Sequence, residues 1–292
     1  MRSLHHFTRV VVWLCMLALT VAAQQSPSMP PAQTAEVFGQ KIRYYECGKG
    51  PVLILLHGTG GSGEGWARDI GPLSTAFHVY ALDQIGFGHS DKPPMDYKVA
   101  TYVDFLHEFM RVLGVPRATI VGQSTGGWIG ASFAIEHPEM VEKLVLADST
   151  GLPPAGGASA NAPKPVDFSY ASLAATRSAL ERFFYNQQLV TDELVRRTFQ
   201  NHIQIGDGYT IQRLLANRQA EYLGDSLRSI HAPTLIIWGK EDSILPVSHA
   251  ERFHAAIPSS QVMIIDDAGH VVQIEKPSEF NKAVLEFLAK NP

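Results

Sequence analysis

The sequence predicts an α/β fold, with a mostly parallel central sheet flanked by helices on both faces and interrupted once by a helical insertion. Three observations point there. Short, continuously apolar runs recur along the chain, as strands buried on both faces require. Segments with helical spacing lie between them. The alternation fails over one stretch, about Gly151 to Arg228, where helical patterns follow one another with no convincing strand.

Taken in order, Lys41 to Cys47 and Val52 to Leu56 read as neighbouring strands, and the second is apolar throughout. Runs of the same kind follow at His78 to Leu82, Ala118 to Val121, Lys143 to Ala147, Thr234 to Trp238 and Val262 to Ile265. Tyr102, Phe105, Leu106, Phe109 and Leu113 recur at the spacing of one buried helix face, and Gly114 then Pro116 stop that helix. GLPPAGGASANAPKP is a loop by composition, whereas SLAATRSALERFFYNQQ, TDELVRRTFQNH and TIQRLLANRQAEYL are helical. The expected layout is therefore a core of residues 36–150 and 229–292 with a helical unit at 151–228. No internal repeat is present.

The chain has 292 residues, 45% of them hydrophobic, which is enough to bury a substantial core. Arg2 and Arg9 precede an apolar run from Val10 to Ala23, with small residues Val21 and Ala23 before Gln24. Residues 1–23 read as a secretory signal peptide. The alternative, a retained anchor, is disfavoured because the run falls short of the roughly 20 residues that span a bilayer. No stable membrane span is expected, and the mature protein is expected to be exported, periplasmic or secreted. Residues 24–35, with Pro27, Pro30 and Pro31, read as a flexible spacer. Loss of Arg2 and Arg9 from the 24 basic residues leaves 22 against 28 acidic ones, a formal charge of −6 that argues against nucleic acid as a partner. Of the two cysteines, only Cys47 lies beyond the signal, so no internal disulfide is available. Nothing in the sequence determines the oligomeric state.

Two glycine-rich stretches carry the chemistry. LILLHGTGGSGEGW, Leu53 to Trp66, satisfies G-x-G-x-x-G at Gly58, Gly60 and Gly63, with Asp83 about 20 residues on, as a dinucleotide-binding fold requires. ATIVGQSTGG, from Ala118, runs a strand directly into G-x-S-x-G at Gly122, Ser124 and Gly126, with the helix-like WIGASFAIEH behind it. The spacing has a steric cause: a sharp strand-to-helix turn strains the serine backbone, pushes its oxygen outward and leaves room only for glycine beside it. That oxygen then stands at a helix N-terminus, where free N–H groups favour negative charge.

With this turn the chain resembles the α/β-hydrolase superfamily, in particular its cap-bearing serine hydrolases, over about Val37 to Leu288. The resemblance implies a catalytic set in the order Ser, acid, His. Ser124 is then the nucleophile, His270 in DDAGHVVQIEKP the general base, and Asp242 in GKEDSILP the carboxylate that orients it. Asp242 could instead cap a turn, and Asp148, after the strand KLVLA, could supply the acid. HGTGG becomes the oxyanion loop: the backbone N–H of Thr59, or of Gly60, joins that of Thr125. His57 shapes the loop beneath the site, and in DQIGFGHSDKP Asp83 holds backbone amides at a fixed turn.

The helical insertion corresponds to the family's cap and supplies much of the pocket. Phe168, Tyr170, Phe183, Phe184 and Tyr185 make it aromatic. Phe183, Phe184 and Trp128 are the candidate substrate-binding residues, although Trp128 could equally fill the helix–sheet contact. No metal or organic cofactor is implied, and no histidine cluster has zinc-site spacing. The expected activity is serine hydrolysis of a carboxylic ester of a small apolar or aromatic substrate through an acyl-enzyme. The alternative is a carbon–carbon bond hydrolase of the ring-fission-product type, whose members usually carry Trp immediately after the catalytic His, where this chain has Val271. Epoxide hydrolases and haloalkane dehalogenases use an Asp nucleophile, against Ser124 here. A dinucleotide-dependent reductase or a non-catalytic binding protein would leave Ser124, Asp242 and His270 idle.

Overall fold

A computed structural model of the chain describes residues 29–153 and 166–290. The export-signal reading of residues 1–23 lies outside the described residues. Among those residues no helix is long and apolar enough to cross a membrane.

The sheet has eight strands among the described residues, in the spatial order β1-β2-β4-β3-β5-β6-β7-β8. β1 (Ala32–Val37) and β2 (Gln40–Cys47) form an antiparallel hairpin across Phe38 and Gly39, both at positive φ as tight hairpin turns demand. The spacer expectation is corrected here, because residues 32–35 belong to β1. Its sequence AQTAEV hardly looks like a strand, but an edge strand needs few inward residues, and Ala35 and Val37 supply them. A second correction concerns neighbours. β3 (Val52–Leu56) is not adjacent to β2, since β4 (His78–Leu82) lies between them, antiparallel to β2 and parallel to β3.

From β3 onward all pairings are parallel, through β5 (Ala118–Gln123), β6 (Val141–Ala147), β7 (Thr234–Gly239) and β8 (Ser260–Ile265). Alternate strand residues feed two separate cores. Ile54, Leu56, Ile120, Leu144, Leu146, Ile236 and Trp238 face one, whereas Leu53, Leu55, Val121, Val145, Leu235 and Ile237 face the other. The period of two explains why these strands are apolar at every position. β8 departs from this rule: it ends the sheet, and Val262 and Ile264 remain exposed despite the apolar run.

Helices α1 (Ile70–Leu73), α2 (Val99–Val112) and α3 (Thr125–Glu136) lie in the first half of the chain. α2 buries Tyr102, Leu106 and Phe109, and Gly114 follows it at positive φ. Between β6 and β7 come α4 (Leu173–Phe183), α5 (Asp192–Ile205) and α6 (Gly208–Asn217), with no strand among the described residues. Ser172 and Thr191 cap α4 and α5 by accepting from Ala175 and Leu194 N–H, and Gly206 ends α5 in a left-handed conformation. α7 (Ser248–Ala256), α8 (Val272–Glu275) and α9 (Pro277–Ala289) complete the chain. α2, α3 and α7 cover the first core, and α1, α8 and α9 the second.

Candidate active site

The chain passes from β3 to β4 on one side and then returns to β5 on the other. At such a switch point the loops leaving neighbouring strands diverge, and the crevice between them is where open α/β sheets bind ligands. Residues 57–61 leave β3 there, and Ser124 leaves β5.

Ser124 has φ 52° and ψ −118°, a conformation that costs a non-glycine residue on the order of 1–3 kcal/mol. Its surroundings hold it there. Its N–H donates to Ala147 O at 2.9 Å, and its carbonyl accepts from Gly127, Trp128 and Thr150 N–H at 3.0, 3.2 and 3.1 Å. The flanking glycines are required by contact: a Cβ on Gly122 would stand 2.2 Å from Gly126 O, and one on Gly126 would stand 2.1 Å from Leu56 O.

Ser124 Oγ lies 3.0 Å from His270 Nε2, and His270 Nδ1 lies 2.8 Å from Asp242 Oδ2. All three residues are buried. With Nδ1–H directed at a carboxylate, the Nε2 lone pair is free to accept the serine proton. The imidazole is held through its backbone as well, since His270 N–H donates to Phe183 O at 2.9 Å and His270 O accepts from Gln123 Nε2 at 2.7 Å. Asp242 Oδ1 accepts from Ile244 and Leu245 N–H at 2.8 and 2.9 Å. Capping a turn and binding the imidazole, alternatives on sequence, are thus done by the two oxygens of one carboxylate.

Asp148, the other candidate acid, accepts from Gly239 N–H at 2.8 Å and Val272 N–H at 3.2 Å, tying the end of β7 to the segment after His270. Burial, and then the charge of Asp242, push its carboxyl up to about 8. Asp266 pairs with Lys240 at the surface.

The loop after β3 is fixed from below. Gln84 N–H donates to His57 Nε2 at 3.1 Å, which leaves the proton on Nδ1 to donate to Gly58 O at 2.7 Å. Burial lowers the His57 pKa and keeps the ring neutral in this role. Asp83 accepts from Gly63 and His89 N–H, both at 2.7 Å. The carboxylate that imitated a ribose ligand in the sequence therefore binds the glycine-rich loop's own backbone. Thr59 Oγ1 approaches Thr125 Oγ1 to 2.7 Å, bringing this loop against the first turn of α3. Gly60 follows at φ 71°.

A family profile described as alpha/beta hydrolase fold matches residues 51–277. The chain belongs to the α/β-hydrolase family. The 2-hydroxy-6-oxo-6-phenylhexa-2,4-dienoate hydrolase of Comamonas testosteroni is 31% identical over 263 residues, covering 85% of this chain and 91% of that protein. Among solved structures, a meta-cleavage product hydrolase from Pseudomonas fluorescens aligns with TM-score 0.80 and 29% identity over 88% of this chain and 97% of the other. A membrane phospholipase A, a bacterial virulence factor, aligns with TM-score 0.76 and 30% identity over 88% and 85%.

In this α/β hydrolase the helical insertion brings aromatic rings to the site unevenly. Phe183 lies against His270, with ring centroids 5.7 Å apart, and Phe168 and then Tyr170 continue the row at 5.8 and 6.3 Å. Tyr170 reaches the opposite wall, its hydroxyl 4.0 Å from where a side chain on Gly60 would begin. The other two candidate substrate contacts lie in apolar packing. Phe184 packs with Leu180, Val190 and Val195 in a small core of the insertion. Trp128 belongs to the main core and stacks on Tyr222 at 5.5 Å. Adjacent residues on a helix end face different directions, so Phe183 and Phe184 could not both point at one site.

Sequence reasoning did not single out Gln123 or Glu275. Glu275 accepts from Gly269, Tyr185 and Asn186 N–H at 2.6, 3.3 and 2.8 Å, bolting the insertion to the histidine loop. Its position five residues after His270 was the available signal, but a surface glutamate reads the same way. Gln123 occupies a variable position of G-x-S-x-G and carried no signal.

Burial lowers the His270 pKa, but the charge of Asp242 and its hydrogen bond outweigh it and leave the net shift upward from 6.5. A general base at this position must be neutral, so with His270 in that role activity is expected to fall as pH drops through the folded-state pKa of the imidazole. The acid limb of kcat/KM is expected above pH 6.5. A pH–rate profile checks this, and an acid limb centred below the ordinary histidine value contradicts it.

Proposed function

We propose that this chain cleaves a carbon–carbon bond next to a carbonyl, in a substrate of the 2-hydroxy-6-oxodienoate class, through an acyl-enzyme on Ser124. The observation that carries the chemistry is the continuous hydrogen-bonded line Ser124, His270, Asp242, at 3.0 and 2.8 Å. The substrate class is supported by the relatives, which weigh toward the reading placed second on sequence: dienoate hydrolases from Comamonas testosteroni, Burkholderia cepacia and Metapseudomonas resinovorans are each 31% identical over 85–86% of this chain. In this scheme Ser124 Oγ attacks the 6-oxo carbonyl carbon while His270 takes its proton. The oxyanion forms against the amides of Thr59 and Thr125, and its collapse breaks the carbon–carbon bond of the keto tautomer, whose 2-oxo group takes the charge as a dienolate; this leaving group takes the proton held by His270 and departs as the dienol. Water activated by His270 then releases the carboxylic acid and restores the serine.

Ester hydrolysis is the second reading, and two observations favour it. Val271 stands where the carbon–carbon hydrolases usually carry Trp, and the phospholipase A structure is as similar in sequence as the dienoate hydrolases. The two readings share the acyl-enzyme and differ in the leaving group. A spectrophotometric comparison decides between them: loss of the absorbance of 2-hydroxy-6-oxo-6-phenylhexa-2,4-dienoate against release of p-nitrophenol from short and long esters. A kcat/KM for the dienoate at least about 100-fold above that for every ester supports carbon–carbon cleavage, a gap of nearly 3 kcal/mol in transition-state stabilisation. The reverse order establishes the esterase. No turnover of either, with no fluorophosphonate label on Ser124, removes both.

A further inference from the structure

The hydroxyls of Thr59 and Thr125 lie 2.7 Å apart, across the gap between the loop after β3 and the N-terminus of α3. The backbone amides proposed for the oxyanion hole belong to these same two residues. Each hydroxyl owns one proton and two lone pairs. In a hydrogen-bonded pair one proton lies between the oxygens and the other is left over. Among the described residues neither hydroxyl has a further partner. A threonine oxygen is three bonds from its own amide nitrogen, so the pair lies near the two amides assigned to the hole, within reach of an oxygen bound there. Thr125 is buried at the start of a helix, where the branched side chain has restricted rotamers, and Thr59 is half-buried.

We propose that the Thr59–Thr125 pair supplies a third, side-chain donor to the oxyanion, one hydroxyl donating to the substrate oxygen while the other accepts and orients it. This rests on the reading of Ser124 as the acylated nucleophile and adds a donor to that hole. The arrangement also makes a staple. The bond fixes the separation of two loops that no backbone hydrogen bond joins at that point, and a preformed hole needs no reorganisation when charge develops. As the oxyanion forms, the free proton gains an anionic acceptor, a shorter and stronger bond than any it makes to a neutral carbonyl oxygen. The pair therefore acts mainly in the transition state, affecting kcat more than KM.

Thr59→Val and Thr125→Val keep shape and backbone amides and remove one hydroxyl each. The readout that needs no knowledge of the natural substrate is the rate at which a fluorophosphonate labels Ser124, since the phosphonyl oxygen occupies the same hole. The expected result is a roughly 10–100-fold slower labelling in at least one valine variant, less than the about 10²–10³-fold that loss of a principal oxyanion donor costs, because both backbone amides remain. With a turned-over ester or dienoate the same variant loses kcat by a similar factor, KM moves less than about twofold, and the matching Thr→Ser variant recovers most of the rate. If a valine variant does not fold, the corresponding alanine variant replaces it. Labelling at the wild-type rate in both variants, with or without a lower Tm, overturns the proposal and leaves the Ser124 reading intact. A wild-type protein that resists labelling overturns the Ser124 reading itself, and this inference with it.

Discussion

Ser124→Ala is expected to lower turnover of any substrate of this protein by about 10⁵–10⁶-fold, the size of effect seen when the nucleophile of a Ser-His-Asp set is removed. The magnitude follows from the arrangement of the site. His270 and Asp242 are both buried, and among the described residues the group hydrogen-bonded to the imidazole Nε2 is the Ser124 hydroxyl at 3.0 Å. Without that oxygen, His270 could activate only a water, which lacks the fixed position behind a strained turn that Ser124 occupies. The alanine chain should fold, because alanine meets the same positive φ without a larger side chain. Circular dichroism establishes the fold, and steady-state rates with fluorophosphonate labelling measure the loss. Retention of more than about a hundredth of the rate would place the nucleophile elsewhere.

Gly126→Ala is expected to be among the most damaging small changes in the fold. Its Cβ would stand 2.1 Å from Leu56 O, 2.6 Å from Leu56 C and 2.7 Å from His57 O, all backbone atoms of β3 and the loop that follows it. No side chain can rotate away to relieve the contact. α3 would have to move off the sheet and carry Ser124 and Thr125 with it, so the substitution should cost more than about 3 kcal/mol and abolish activity together. Gly71→Ala is the control, since nothing lies within 4 Å of its Cβ, and its stability should change by less than about 1 kcal/mol. Urea midpoints of the two variants test the contrast. A Gly126→Ala protein as stable as the parent would show that the approach of α3 to β3 is looser than described.

The same contact explains why so much of the site could be read from residues alone. The turn at Ser124 is a local steric object: strand, glycine, serine, glycine and helix must follow one another within ten residues, and the sequence displays all of them. Asp242 and His270 were legible because each follows an apolar strand, and parallel strands deliver their C-terminal loops to one edge of the sheet. Phe183, Phe184 and Trp128 were legible only as aromatic residues near the right places. Which ring faces His270 depends on how the end of α4 sits on the histidine loop, and that seat is made by Glu275 and by Phe183 O, residues far apart in the chain. The pairing of β2 with β4 depended on strand order, which loop length and apolar content do not encode. The exposure of β8 depended on the same thing, since an edge strand and a central strand can carry equally apolar runs.

By itself, the sequence determined the alternation of strands and helices, the strained serine, and the order in which the serine, the carboxylate and the imidazole appear. Each is set by spacing over a few residues, where sterics and hydrogen-bond reach leave few choices. The tertiary structure alone decided that one carboxylate both caps a turn and binds His270, that the Asp83 carboxylate holds its own glycine loop, and that Thr59 meets Thr125. These contacts join groups carried by the segments that follow separate strands, and only the packing of the whole sheet brings them within bonding distance.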